Sequence, residues 1–274
     1  MRIQVSPGEL DAGRLQDETV EAAVDALFGD GYVVLGDVVE HAALDLLRRR
    51  LEEDTAELLR RIEAEGRTFE PAGQLSQPMP RSPEHVHRTI VANPLVIQVT
   101  KEVLGEGVHN HFYNCNTNLP GSRAQFLHRD APNLGLDPAH PMVSIIVNVS
   151  MGDVDESNGA TEIWPGTHWV EGSTRVPDAA AARRRAVAPP TRMLFQKGDA
   201  VLRDPRLWHR GVPNPSTEVR HMVAMVHSGA SHPCDTALPV PRASLRCFDD
   251  EVLRTSVVVV DDDYDYLSES LHLR

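Results

Sequence analysis

The sequence predicts a mainly β fold, a jelly-roll core with N-terminal helices packed on one face. Three observations carry this expectation. Apolar residues recur at helical spacing through much of the chain up to about residue 105. From about residue 107 the pattern changes to short segments rich in Val, Ile, Thr and aromatics, separated by Gly, Pro, Asn and Asp. Helices first and strands later favour an antiparallel core with its helices segregated to one side. Many short strands at fairly even spacing favour a jelly roll or barrel.

The helical part covers about residues 15–105. The stretch ETVEAAVDALFGDGYVVLGDVV places apolar residues at helical spacing until Gly29 and Gly31 stop it, and Tyr32 to Leu35 follow as a short strand. HAALDLLRRRLEEDTAELLRRIEAEG repeats leucines at intervals of three and four with Glu/Arg pairs between them, the mark of an amphipathic surface helix. Asn93 caps a further helix, with Pro94 in its first turn and Gly105 at its end. The β core, about 107–230, takes candidate strands at 108–118, 142–150, 160–165, 191–196, 199–203 and 219–228. The segment PDAAAARRRAVAPP (177–190) reads as a short helix or an excursion between strands. The C-terminal extension, 231–274, ends in the acidic DDDYDYLSES, which reads as a solvated tail or lid. No internal repeat is visible, and the expectation is one domain over residues 1–274.

A hydrophobic share of 41% suffices for a sizeable core. The net charge of -13 argues against a nucleic-acid partner, which needs clustered Lys and Arg. That acidity serves solubility, and it would also suit a cationic substrate by long-range attraction. The start MRIQVSPGEL lacks the features of a signal peptide, and no apolar run approaches the roughly 20 residues of a membrane span. A soluble, cytoplasmic protein with no membrane partner is expected. Three cysteines, Cys115, Cys234 and Cys247, form no CxxC pair and read as free thiols. No GxSxG or GxxxxGK[ST] occurs, so serine-hydrolase and P-loop chemistry are excluded.

One His-x-Asp is present, His128-Arg129-Asp130. On extended chain, residues i and i+2 point the same way, so both side chains can reach one ion, and Arg129 should point away. Alone the motif is weak. It gains from His209 in RDPRLWHRGVPN, directly after the candidate strand GDAVLRD, and from Arg220, eleven residues later at the start of VRHMVAMVHSG. Two imidazoles and a carboxylate on one face of a ferrous ion leave positions open for a bidentate keto acid and for dioxygen. The keto acid's distal carboxylate needs a charge partner, which the guanidinium fork of Arg220 offers. A carboxylate at Asp130 argues against halogenation, which needs that position for a halide.

These residues resemble the phytanoyl-CoA dioxygenase family of Fe(II)/2-oxoglutarate oxygenases, over about Gly107 to Gly229 and more loosely in the N-terminal helices. ESNGATEIWPGTHW is similar to that family's Asn-Gly and Pro-Gly-(Ser/Thr)-His segment. NLPGSRAQFLHRD, RRRAVAPP and RDPRLWHRGVPN look like its antibiotic-tailoring members, among them the kanamycin B dioxygenase and the oxygenases of orthosomycin and hygromycin biosynthesis. The resemblance implies a double-stranded β-helix, iron held by His128, Asp130 and His209, and 2-oxoglutarate anchored by Arg220, with dioxygen as co-substrate. It places Asn116, Asn118, Gln125 and Thr161 where members make polar contacts near the keto acid, although such groups equally often satisfy neighbouring backbone. It implies a glycoside or aminocyclitol substrate, altered by hydroxylation, ketone formation or oxidative ring closure. Asn158-Gly159 and Pro165-Gly166 read as turn chemistry, His168 as a structural histidine, and Trp164 and Trp208 as packing residues or sugar-stacking surfaces. His85, His87, His109, His111 and His140 are polar candidates near loops. The rival readings are a zinc hydrolase with the same ligands and a non-catalytic sugar-binding jelly roll.

Overall fold

The computed structural model describes residues 1–66, 73–134, 142–232, 234 and 236–269. Strand β1 (Arg2–Gln4) leads into helix α1 (Pro7–Ala12). A reciprocal capping box starts α1: the Ser6 hydroxyl oxygen accepts from the Glu9 N–H, and the Glu9 carboxylate accepts from the Ser6 N–H. Helix α2 (Asp17–Asp30) ends at Gly31, whose φ of 84° suits glycine. A Cβ there would also collide with His168 and Leu207. Strand β2 (Tyr32–Gly36), helix α3 (His41–Ala64), strand β3 (Gln74–Pro78), the short α4 (Arg88–Val91) and α5 (Pro94–Leu104) complete the N-terminal half. The Asn93 side chain caps α5 by accepting from the N–H groups of Leu95 and Val96.

The β-rich half contains β4 (His109–Asn118), β5 (Ser144–Ser150), β6 (Glu162–Ile163), helix α6 (Asp178–Val187) and β7 (Thr191–Arg192). Next come β8 (Ala200–Arg203), β9 (His209–Arg210) and β10 (Arg220–Ser228). Strand β11 (Leu238–Pro241), helix α7 (Leu245–Phe248), β12 (Arg254–Thr255) and β13 (Val257–Val260) follow. The main sheet runs β1-β2-β8-β5-β10-β4-β12, with β3 also paired to β4. Its interior is antiparallel, and β1–β2 and β12–β4 are parallel pairs at its two edges. A small antiparallel sheet, β7-β6-β9, faces it.

Alternation along the strands separates two interiors. Val33, Leu35, Ala200, Leu202 and Val223 pack with Leu44, Leu47 and Leu51 of α3 and with Leu95, Val96 and Val99 of α5. Val34, Val201 and Met222 point the other way, toward Ile163, Met193 and Leu207 of the small-sheet side. Each such leucine or valine contributes about 1.5–3 kcal/mol on burial. The Thr55 hydroxyl, 2.8 Å from Gln77 Oε1 and 2.8 Å from His221 Nε2, ties α3 to β3 and β10. The helices therefore cover one face of the main sheet, and the other face is left for a cavity.

The expected helices and the strands that line the core are present, and the 177–190 segment is the short helix α6. Strands β1, β3, β9 and β11 to β13 were not foreseen. The C-terminal region to residue 269 is not a solvated tail. Asp265 pairs with Arg61 at 2.7 Å, the Tyr266 hydroxyl donates to Asp54 at 2.7 Å, and Glu269 holds Arg81, so the segment docks on the helical side. Among the described residues, no helix is long and apolar enough to cross a membrane.

Asp199, fully buried, accepts from both Nε and Nη2 of Arg2 and from the backbone N–H groups of Asp37 and Gln196, each at 2.9 Å. It fixes the β1–β2–β8 edge. Asp199→Ala is expected to lower unfolding free energy by about 1–3 kcal/mol, because it orphans several donors at once. Urea unfolding with an unchanged m-value checks this.

Candidate active site

The segment carrying His128 runs antiparallel beside β9. The His128 N–H donates to the His209 carbonyl at 3.0 Å, and the His209 N–H donates back to the His128 carbonyl at 2.8 Å. Residues opposed in this way share a face of the sheet, so both imidazoles project together, with ring centroids 4.3 Å apart. Each Nδ1 lies 3.0 Å from a carbonyl oxygen two residues back, that of Phe126 for His128 and that of Leu207 for His209. An Nδ1–H donated there directs the Nε2 lone pair of each ring outward. Asp130, two residues beyond His128, points the same way, with its N–H donated to the Pro205 carbonyl at 2.8 Å. Its carboxylate oxygens stand 3.9 Å from His128 Nε2 and 3.5 Å from His209 Nε2. Ligand atoms of all three residues lie within 4.8 Å of one another. One ion with bonds of about 2.1 Å holds neighbouring ligands about 3–4 Å apart, so the set fits a single metal. The donor types suit ferrous iron.

Arg203, at the end of β8, was not singled out from sequence. It is buried and donates to Asp130 Oδ2 at 2.7 Å. Its Nη1 also lies 3.2 Å from His209 Nδ1, but that nitrogen already serves Leu207, so the contact is charge proximity rather than a second donation. Burial alone would raise the Asp130 pKa, yet His209, Arg203 and His128 outweigh it and hold the carboxyl well below its usual range. Burial pulls His209 down to about 3, with Arg203 adding to the effect. The neutral imidazole and ionised carboxylate are the forms that bind metal.

A cavity of about 350 Å³ opens from this point between the two sheets. Arg220, the first residue of β10, lines it and is buried. Among the described residues its side chain reaches the Gly159 carbonyl at 3.2 Å and the Met222 sulfur at 3.9 Å, and its Nε has no partner. Among the described residues no carboxylate pairs with it. Burial brings its pKa down to about 10, so it stays charged at neutral pH. A buried cation without a counter-charge costs several kcal/mol, and an anionic ligand would remove that cost.

The family model of phytanoyl-CoA dioxygenase (PhyH) matches residues 29–222, well over half of the chain. The chain belongs to the phytanoyl-CoA dioxygenase family. It is an oxidoreductase, a dioxygenase that works with Fe(II), 2-oxoglutarate and dioxygen. Dioxygenase trt7 of Aspergillus terreus is 25% identical over 229 residues, covering 80% of this chain and 77% of that protein. Dioxygenase cdmA of Talaromyces verruculosus is 25% identical over 240 residues, covering 81% and 77%. Two solved structures share the fold. AviO1 from Streptomyces viridochromogenes superposes with a TM-score of 0.54 at 22% identity, over 78% of this chain and 96% of that one. SnoK, a non-heme alpha ketoglutarate dependent carbocyclase from nogalamycin biosynthesis, gives 0.57 at 20% identity, over 80% and 86%. The double-stranded β-helix of the family is the arrangement of two facing sheets described above.

Within this family framework, the other sequence candidates divide. Asn116 and Thr161 line the cavity. Asn118 and Gln125 line it too, but their amides serve neighbouring backbone. Asn118 donates to the Val212 carbonyl at 3.1 Å and accepts from Ser122, and Gln125 accepts from the Gly211 N–H at 2.8 Å. Both brace the turn after His209. Arg129 points away, donating to the Val170 carbonyl and lying over the Trp208 ring. Trp164 and Trp208 pack on each other, and His168 is buried against the Phe28 carbonyl. Of the histidines expected near loops, His109 and His111 lie instead in β4, where His111 reaches the cavity, and His140 lies outside the described residues. Arg203→Met is expected to destabilise the metal-free protein by about 1–3 kcal/mol, since it removes the guanidinium that bonds the half-buried Asp130 carboxylate. Chemical denaturation with chelator present reads this.

Proposed function

We propose that this chain is a tailoring oxygenase acting on a sugar-derived natural product, a glycoside or aminocyclitol. In this reading His128, Asp130 and His209 hold the ferrous ion and Arg220 holds the distal carboxylate of 2-oxoglutarate. The observation that carries it is Arg220, a buried guanidinium with no carboxylate partner among the described residues, lining the cavity that His128, Asp130 and His209 also line. Iron and 2-oxoglutarate, when bound, supply the oxidising power, activating dioxygen as the keto acid loses CO2 and becomes succinate. The protein's own work is placement. The carbonyls of Phe126 and Leu207 fix the ring tautomers, Arg203 fixes Asp130, and Asn118 and Gln125 brace the 211–212 turn. Asn116 and Thr161 are proposed to contact the keto acid. The cavity orients the substrate C–H and keeps competing reactions out.

The natural-product role is supported by the likeness to SnoK, a carbocyclase from nogalamycin biosynthesis. Hydroxylation, ketone formation and ring closure all use the same iron site and differ in substrate geometry. We propose that the chain acts as one dioxygenase domain, in the cytoplasm. A zinc hydrolase with these ligands would have no use for an unpaired Arg220.

His128→Ala and Asp130→Ala are each expected to abolish succinate release and the binding of one equivalent of Co(II), read by absorption titration. Near-normal values in either variant would remove these residues from the metal site. Arg220→Ala is expected to raise the 2-oxoglutarate requirement about tenfold to a hundredfold, the loss of a charge-assisted contact worth roughly 1.5–3 kcal/mol. Its substrate requirement should change far less, and an equal rise in both would assign Arg220 another task.

A further inference from the structure

The charge inside the cavity differs from the charge of the whole chain. Among the described lining residues, Asp130 is the sole carboxylate and Arg203 and Arg220 are the cationic groups apart from histidine. Asp130 is already engaged by Arg203. Among the described lining residues, a substrate ammonium meets no carboxylate besides the one Arg203 engages, and a substrate anion meets no guanidinium beyond Arg203 and the one assigned to the keto acid. The acidic residues concentrate elsewhere. Glu53, Glu57, Asp262, Asp263 and Asp265 line a separate groove between α3 and the C-terminal segment, on the helical side of the main sheet.

The cavity has instead a wall of uncharged hydrogen-bonding groups. Pairing of β4 with β10 passes from Tyr113↔Met225 to Asn110↔His227, so His111 and Phe112 together oppose Val226. This β-bulge breaks the alternation and presents both His111 and Phe112 to the cavity, where Ser144 and His232 join them. The Nδ1 of His111 is buried and without a partner. The other orphaned atoms at these strand ends, on His109, Asn110, His227 and Ser228, belong to residues that do not line the cavity, and His227 lies against Thr100 of α5. An unpartnered buried polar atom costs about 1–3 kcal/mol, so His111 Nδ1 marks a point on the cavity wall where a polar ligand atom or water belongs. Among the described residues the metal-type grouping is His128, Asp130 and His209, and these histidines form no second one there. Burial, with the neighbouring His109 and His232, lowers the His111 pKa. Neutral imidazole both donates and accepts, as a hydroxyl does.

We infer that the substrate is uncharged where it enters the cavity, a hydroxyl- or carbonyl-bearing molecule held at the histidine wall of His111 and His232, and that polycationic aminocyclitols are disfavoured. This rests on the oxygenase reading above and selects the neutral glycoside within it. The test uses the full chain loaded anaerobically with Co(II) and 2-oxoglutarate. Calorimetry compares a 2-deoxystreptamine aminoglycoside with its fully N-acetylated, uncharged derivative, which keeps the same skeleton. The N-acetylated probe is expected to bind at least tenfold tighter, and His111→Phe is expected to weaken it at least tenfold. His232→Leu, on an exposed loop where folding is not at stake, should act in the same direction. Equal or tighter binding of the free amine, no binding of either probe, or indifference to both substitutions would overturn the inference. Failure of the Co(II)-loaded protein to bind 2-oxoglutarate at the outset would sink the oxygenase reading itself, so the two failures are told apart.

Discussion

The reciprocal backbone pair between His128 and His209 is the constraint on which the site depends. It joins two segments far apart in the chain at a fixed register, and register decides side-chain direction. A slip of one residue would turn one imidazole to the opposite face of the small sheet. Asp130 then follows from the strand period, and the Nε2 lone pairs follow from the carbonyls of Phe126 and Leu207. Geometry that would otherwise need several side-chain contacts is thus set mostly by backbone, which is stiffer. The neighbouring bonds agree with this: Arg129 donates its N–H to the Thr174 carbonyl and Asp130 to the Pro205 carbonyl, pinning the His128 segment on both sides.

Two buried arginines near one cavity have opposite meanings. Arg203 has its carboxylate in the protein, and the pair keeps Asp130 ionised and oriented in a desolvated place. Arg220 has none among the described residues, and its charge is an unfilled requirement. A buried cation without a partner is a poor way to stabilise a fold and a good way to recognise an anion. The same distinction sorts the uncharged polar groups. Asn118 and Gln125 face the cavity but serve the backbone at 211–212, whereas Asn116 and Thr161 line it without bracing that turn.

Local physics made much of the fold legible in the sequence. Gly31 and the Asn93-Pro94 cap end and begin helices by satisfying backbone groups within a few residues, so α2 and α5 could be read directly. The strands lining the core are β-branched and alternate, and were readable for the same reason. What escaped notice depends on partners remote in sequence. Arg2 to Gln4 is unremarkable until β2 supplies parallel neighbours, and the C-terminal DDDYDY looks like a tail until Arg61 and Asp54 receive it. The candidate site divides in the same way. His128, Asp130, His209 and Arg220 stood out because their order and spacing suit one chemistry. Arg203 belongs to an ordinary strand-end Arg-Asp, and only the register of β8 against its neighbours brings it to Asp130.

The histidine wall shows why cavity chemistry is the least legible layer. Composition gives an acidic chain, and acidity suggests an affinity for cations. Long-range charge governs how fast a ligand arrives, while the groups it touches govern whether it stays. Here the two disagree, since carboxylates gather on α3 and the C-terminal segment, while among the described lining of the cavity the one carboxylate, Asp130, sits beside Arg203. His111 faces the cavity because one extra residue in β4 resets the alternation, and a bulge leaves no mark in composition or periodicity. Selectivity in this fold can therefore change by a single inserted residue at a strand end, with the backbone pair at His128 and His209 untouched.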